Sequence, residues 1–170
     1  TNQRLNRLAQ RSIEEPAGPA KRQKVAEVID PELKDIISKL KGFDAERLNL
    51  IKTLAVGLTA WIKDGIEGEK RLEAAKQILN CYLAQFEEMK DYIDYTAIQL
   101  DLSQLGLKSL PPEIGNLINL TKLWLAENQL TIIPPEIGNL TKLRELWLAN
   151  NQLTSLEGVG KLTSLTLLSL

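Results

Sequence analysis

The chain has no histidine among its 170 residues. That absence removes histidine-based catalytic triads and the commonest zinc sites. A single cysteine, Cys81, excludes an intrachain disulfide framework and fits a reducing compartment or a protein with no need of covalent staples. Net charge is nearly absent too: the formal value of −1 provides no global field that favours nucleic acid or an anionic membrane. No apolar run reaches the length of a bilayer span, and the N-terminal residues lack the apolar centre of a signal peptide. A nucleotide-binding loop is missing as well: GIEGEKR at Gly65 to Arg71 has two glycines and a lysine, without the spacing or the Ser/Thr of such a loop, and reads as a helix connection. What remains is an ordinary soluble composition, 44% hydrophobic and 25% charged, long enough to bury a substantial core.

Within this unremarkable composition one stretch repeats itself. Residues Leu120 to Leu143 read LTKLWLAENQLTIIPPEIGNLTKL, are followed by LRELWLANNQLTSLEGVGKLTSLTLLSL, and are preceded by a degraded version, IQLDLSQLGLKSLPPEIGNLINL. The leucine pairs Leu100/Leu102, Leu123/Leu125, Leu146/Leu148 and Leu168/Leu170 are separated by 23, 23 and 22 residues (123−100, 146−123, 168−146). A fixed period of this size predicts a solenoid. The alternation of Leu123 and Leu125 with Trp124 predicts a short strand with leucines on one face and tryptophan on the other. Asn128 and Asn151 stand where the chain leaves the strand, and their amides can both donate to and accept from a turn backbone that would otherwise be buried unpaired. At the equivalent place in the first repeat is Leu105, expected to pack against a cap of another kind.

LTKLWLAENQL and LRELWLANNQL match the leucine-rich repeat pattern L-x-x-L-x-L-x-x-N-x-L at every fixed position, so the chain resembles the leucine-rich repeat family. The segments LPPEIGNL and IPPEIGNL are similar to the 23-residue variant of bacterial and intracellular members, and EGVGKL to the 22-residue variant. The resemblance covers about 75 of the 170 residues and implies a right-handed solenoid with a short parallel sheet. It also implies a module that binds protein or peptide, in the manner of a bacterial effector or a signalling adaptor. Some effectors of similar architecture carry a separate ubiquitin-ligase domain, so the alternative is the targeting portion of a larger enzyme. Such a chain would act inside a cell, including a host cytoplasm into which it is secreted.

Ahead of the repeats the patterns are helical. Residues 1–29, with Pro16, Gly18 and Pro19, read as a flexible tail; its basic cluster Lys21, Arg22 and Lys24 has the composition of a nuclear-import signal, but so do most solvated tails. Asp30-Pro31-Glu32 predicts a helix start, with an end before Gly42. A second start at Asp44 leads into Leu48, Ile51, Ala55, Leu58 and Ile62 at helical spacing, with Trp61 widening that face. The third helix is expected from about Glu69 to Ile93, its stripe being Leu72, Ala75, Leu79, Tyr82, Phe86, Met89 and Ile93. Cys81 then falls off the stripe, on the flank of Ala74 and Tyr92, where a cysteine is more simply a small packing residue than a nucleophile. Asp94-Tyr95-Thr96 alone would join this helix to the first strand, which forces the two parts to dock.

The expected fold class is therefore α+β, with residues 30–95 as a helical N-terminal domain that caps about three and a half repeats in residues 96–170. The pattern stops at Leu170 inside a repeat, which predicts a truncated end or one covered by another chain, with self-association as a consequence. Across the open face of the sheet the repeats would align Gln99, Lys122, Glu145 and Leu167 in one row, Asp101, Trp124, Trp147 and Ser169 in a second, and Ser103, Ala126 and Ala149 in a third. The first two rows are the candidate partner-binding residues, since paired tryptophans beside a charged rim suit a protein or peptide anchor. The competing reading is that Trp124 and Trp147 stack on each other to stabilise the sheet. No catalytic residue, metal ligand or cofactor site is expected.

Overall fold

The computed structural model describes residues 28–64, 68–89 and 98–170. Residues 1–27, the tip of the Gly65 to Gly68 turn and the connection Asp94-Tyr95-Thr96 lie outside the described residues. The chain has an α+β fold, and its described residues form three helices followed by a four-stranded parallel sheet.

Helix α1 spans Pro31–Ser38 and helix α2 Ala45–Lys63. Both begin where the capping residues stand. The Asp30 carboxylate accepts the Glu32 N–H at 2.9 Å, and the Asp44 carboxylate accepts the Arg47 N–H at 2.8 Å. Each satisfies a donor that the first helical turn leaves free, worth about 1 kcal/mol. Helix α2 buries Ile51, Ala55, Leu58 and Ile62 as its spacing predicts, together with Leu54, Thr59 and Trp61, while Leu48 is half-buried.

Helix α3, Gly68–Leu83, differs from expectation in length and in the face it buries. It stops ten residues short of Ile93, and a 3₁₀ turn, Glu87–Met89, follows. The contacts beyond Leu83 explain the stop. Phe86 meets the edges of Phe43 and Tyr82 at 5.6 and 5.3 Å, Arg47 pairs with Glu88, and the Gln85 amide donates to Asn116 O and accepts from Asn119 N–H, both at 3.0 Å. Tertiary packing outweighs helix propensity at this length. The buried face is Ala74, Ala75, Ile78, Leu79 and Leu83, with Leu72 and Tyr82 only half-buried. It is turned toward Ala74 because α3 packs on three neighbours at once, α1, α2 and the first strand.

The four strands are β1 Gln99–Asp101, β2 Lys122–Trp124, β3 Glu145–Trp147 and β4 Leu167–Ser169, parallel and in chain order. Their return segments contain 3₁₀ turns at Pro112–Asn116, Pro135–Asn139 and Val159–Lys161. The repeated PPEIGN sequence accounts for the first two. Its second proline sits in the first turn, where no N–H is needed, and its glycine lets neighbouring repeats stack closely. A Cβ on Gly115 would lie 2.7 Å from the Glu136 carbonyl oxygen of the next repeat, inside contact distance.

Beneath the sheet Leu100, Leu102, Leu123, Leu125, Leu146 and Leu148 are buried, each side chain contributing about 1.5–3 kcal/mol. In the last strand Leu168 and Leu170 are exposed. The core runs without a break from Leu33 in α1 to Leu162 after the third return segment. At the junction the Trp61 indole N–H donates to Ser109 Oγ at 3.2 Å, and Leu105 packs partly buried against the common core.

Asn128 and Asn151 bond across repeats as well as within them. The Asn128 amide donates to Leu125 O and, one repeat back, to Leu102 O, each at 2.9 Å, while its oxygen accepts the N–H groups of Leu105 and Leu107. Asn151 donates to Leu148 O and Leu125 O and accepts from Leu130 N–H. The turn that lacks its own asparagine is thus completed by the next repeat's. The residue before each of these three positions, Gln104, Glu127 and Asn150, has φ near +60°. That left-handed geometry is unfavourable for a residue with a side chain, and the turn recurs around it.

Candidate functional site

Each strand is three residues long; the first three bury the middle residue, so the first and third point to the open face, while at the end of the stack the middle residue of β4, Leu168, is exposed. The register places Gln99 beside Lys122, Lys122 beside Glu145, and Glu145 beside Leu167. In the second row Asp101 lies beside Trp124, Trp124 beside Trp147, and Trp147 beside Ser169. All eight candidate residues are brought to one face, in the two rows the repeat period predicts.

The charges on this face are partly spent on each other. Lys122 Nζ lies 3.2 Å from Glu145 Oε1, and the Trp147 indole N–H donates to Glu145 Oε2 at 3.3 Å. Lys122, and then Trp147, hold the Glu145 carboxyl below its ordinary range. Asp101 is exposed and accepts the Ser103 N–H at 2.9 Å, without a cationic partner among the described residues. At the rim, Gln104 donates to Glu127 at 3.0 Å.

The two tryptophans are half-buried neighbours but do not form a stacked or edge-on pair; the ring pairs among the described residues are Phe43 with Phe86 and Tyr82 with Phe86. Mutual stacking is therefore not what Trp124 and Trp147 provide here. Both remain partly exposed on the open face. The bond from Trp147 to Glu145 was not anticipated from sequence, although their spacing of two on one strand places them on the same side. The left-handed turn at Gln104, Glu127 and Asn150 was missed too; the only signal was a polar residue ahead of each asparagine position.

Two clefts lie away from these rows. One of about 410 Å³ is lined by Gly57, Ala60, Trp61, Asp64, Pro112 and Glu113 at the boundary of α2 and the first return segment. Another, about 230 Å³, is lined by Leu148, Asn150, Asn151, Leu153, Leu156 and Leu170. Cys81 sits in the seam between α3 and β1, its Sγ 3.6 Å from Gln99 O, and burial pushes its thiol up to about 11. Such a thiol is almost wholly protonated at neutral pH and is a poor nucleophile. Among the described residues no cluster of Cys, Asp or Glu is arranged to hold a metal ion, and no helix is long and apolar enough to cross a membrane.

Comparison with known proteins agrees with the repeat geometry. The family model for leucine-rich repeats, in two copies, matches residues 118–161. Residues 118–161 are therefore leucine-rich repeats. A solved structure of a leucine-rich repeat protein from Leptospira interrogans is 41% identical over 51% of this chain, with a TM-score of 0.42; the chain spans 22% of that protein's length. No curated protein matches the chain. Leucine-rich repeats are in general protein-interaction modules, and the matched segment suggests one here.

Proposed function

We propose that this protein is a non-enzymatic interaction module that binds a protein or peptide through the concave face of its repeats. Gln99, Asp101, Lys122, Trp124, Glu145, Trp147, Leu167 and Ser169 form the contact surface. The observation that carries the reading is the pair of partly open tryptophans, adjacent in register yet unstacked, on a face away from either cleft. Small molecules favour enclosed cavities, whereas a flat aromatic centre with a charged rim suits a macromolecular partner. In this reading the helices cap the leucine layer and the face recruits. The chain then serves as an effector or signalling adaptor, or as the targeting part of a larger enzyme, and in each case the same rows make the contact.

The test is affinity capture with the 170-residue chain and with the double variant Trp124→Ala/Trp147→Ala. A partner held by this face should bind the variant at least about tenfold more weakly, equivalent to about 1.4 kcal/mol. The variant should also lose less stability than Leu125→Ala, a core truncation expected to cost about 2–5 kcal/mol. Equal capture by both proteins, or a stability loss as large as that of Leu125→Ala with unchanged affinity, would return the tryptophans to a structural role.

A further inference from the structure

We infer that the partner presents an arginine side chain to Trp124 and Asp101, an assignment that rests on the binding face proposed above and gives it a ligand chemistry. The argument begins with what each charged group on the face already does. Lys122 and Glu145 neutralise one another, and the second oxygen of Glu145 holds the Trp147 N–H. Gln99, Ser103, Ala126, Ala149, Leu167 and Ser169 carry no charge. The charge left over is negative and is concentrated on one side, at Asp101, with Glu127 at the rim. Asp101 gives one oxygen to the Ser103 N–H, and no cation among the described residues pairs with it.

Beside this carboxylate, in register on the next strand, stands Trp124. Its indole is half-buried and, unlike that of Trp147, is not anchored by a hydrogen bond among the described residues. An indole face next to an unpaired carboxylate suits a planar cation. A guanidinium lays its face on the ring while its edge donates to the carboxylate, two contacts that a lysine ammonium cannot make together so well. The protein uses the first of these contacts itself, since the Arg71 guanidinium lies 5.1 Å over the Trp61 ring, where it is buried and donates to Trp61 O. Among the described residues no such cation lies over the Trp124 ring.

Selection of random peptides displayed on phage against the whole 170-residue chain tests the assignment. Arginine should be enriched, and a synthetic selected peptide should bind at least about tenfold more weakly to Asp101→Asn and to Trp124→Ala, while Asp101→Glu stays close to the parent. Replacing the peptide's arginine by citrulline, which keeps the shape and removes the charge, should cost a similar factor. Asp101→Asn retains an oxygen for the Ser103 N–H, and a melting temperature equal to the parent's separates lost recognition from lost folding. Arginine-poor peptides that still require Trp124 and Trp147 would overturn the arginine seat and leave the binding face standing. If selection returned no peptide, or only peptides indifferent to Asp101, Trp124 and Trp147, the face would fall along with it.

Discussion

The helices and the repeats of this protein obey different rules. Helices α1 and α2 start where their own sequence says, at Asp30 and Asp44, but where α3 stops depends on Phe43, Arg47 and the first return segment, and which face it buries on the elements packed around it. In the repeats even three-residue strands fall in the register predicted from the leucine spacing. A helix satisfies its backbone internally and is free to slide, end early or rotate until its side chains fit. A strand in a stack is bonded to its neighbours, and a shift of one residue would turn Leu123 outward and Trp124 into the core. Periodicity is therefore a stronger constraint on short elements than propensity is on long ones.

The largest expected effect comes from separating the two regions. A chain beginning at Tyr95 would expose the leucine layer around Leu100, Leu102 and Leu105, which α3 and Trp61 help to cover. It should aggregate or unfold in urea without a cooperative transition. A monomeric, cooperatively folding repeat fragment would show that the repeats need no cap and that the two regions are independent.

Next come the asparagines, the point at which one repeat relies on another. Asn128→Ala should cost about 1–3 kcal/mol, because it strands buried groups in two repeats. Asn151→Ala should cost less, since Asn151 is more exposed and completes fewer bonds. Urea unfolding of both variants checks the order, and the reverse order would mean that position along the stack matters more than the number of bonds. Leu105→Asn should not stabilise the protein, because Asn128 already serves that turn.

A helix cap is local by comparison. Asp44→Ala should cost about 1 kcal/mol, the usual value of a single capping bond, and its effect should stay at the start of α2. Amide exchange would detect it as lost protection in that turn alone; protection lost in the repeats would contradict the contrast between local and shared bonds.

The smallest effect is in pH. The Glu145 carboxyl is held below its ordinary value of 4.5 in the folded chain, so its contacts are complete above that value and are lost as pH falls through the lower folded one. The Trp147 indole resonance should move in that acid range while the Trp61 resonance stays still. A Trp147 signal that is flat down to the onset of unfolding would show that its bond to Glu145 is not maintained in solution.

These contrasts explain what was legible beforehand. The strands, the two rows of the open face and the asparagine positions could be read because they repeat, and each copy tested the others. The end of α3 could not, because Phe86 and Gln85 are directed by partners far away in sequence. The burial of Arg71 was equally hidden: it lies in a polar run, and only the fold brings it over Trp61. At the candidate site the residues were visible and their couplings were not. Nothing in the spacing said that Glu145 would serve both Lys122 and Trp147 while Asp101 was left with a backbone N–H.

The bonds from Asn128 back to Leu105 and from Asn151 back to Leu125 and Leu130 all run toward the N-terminus. This gives the stack a direction in time as well as in space. As the chain leaves the ribosome, the turn at Leu105 has to wait for Asn128, 23 residues later, before its N–H is satisfied, and the next turn waits in the same way for Asn151. The newest repeat is always the unfinished one, and each addition completes the repeat made before it.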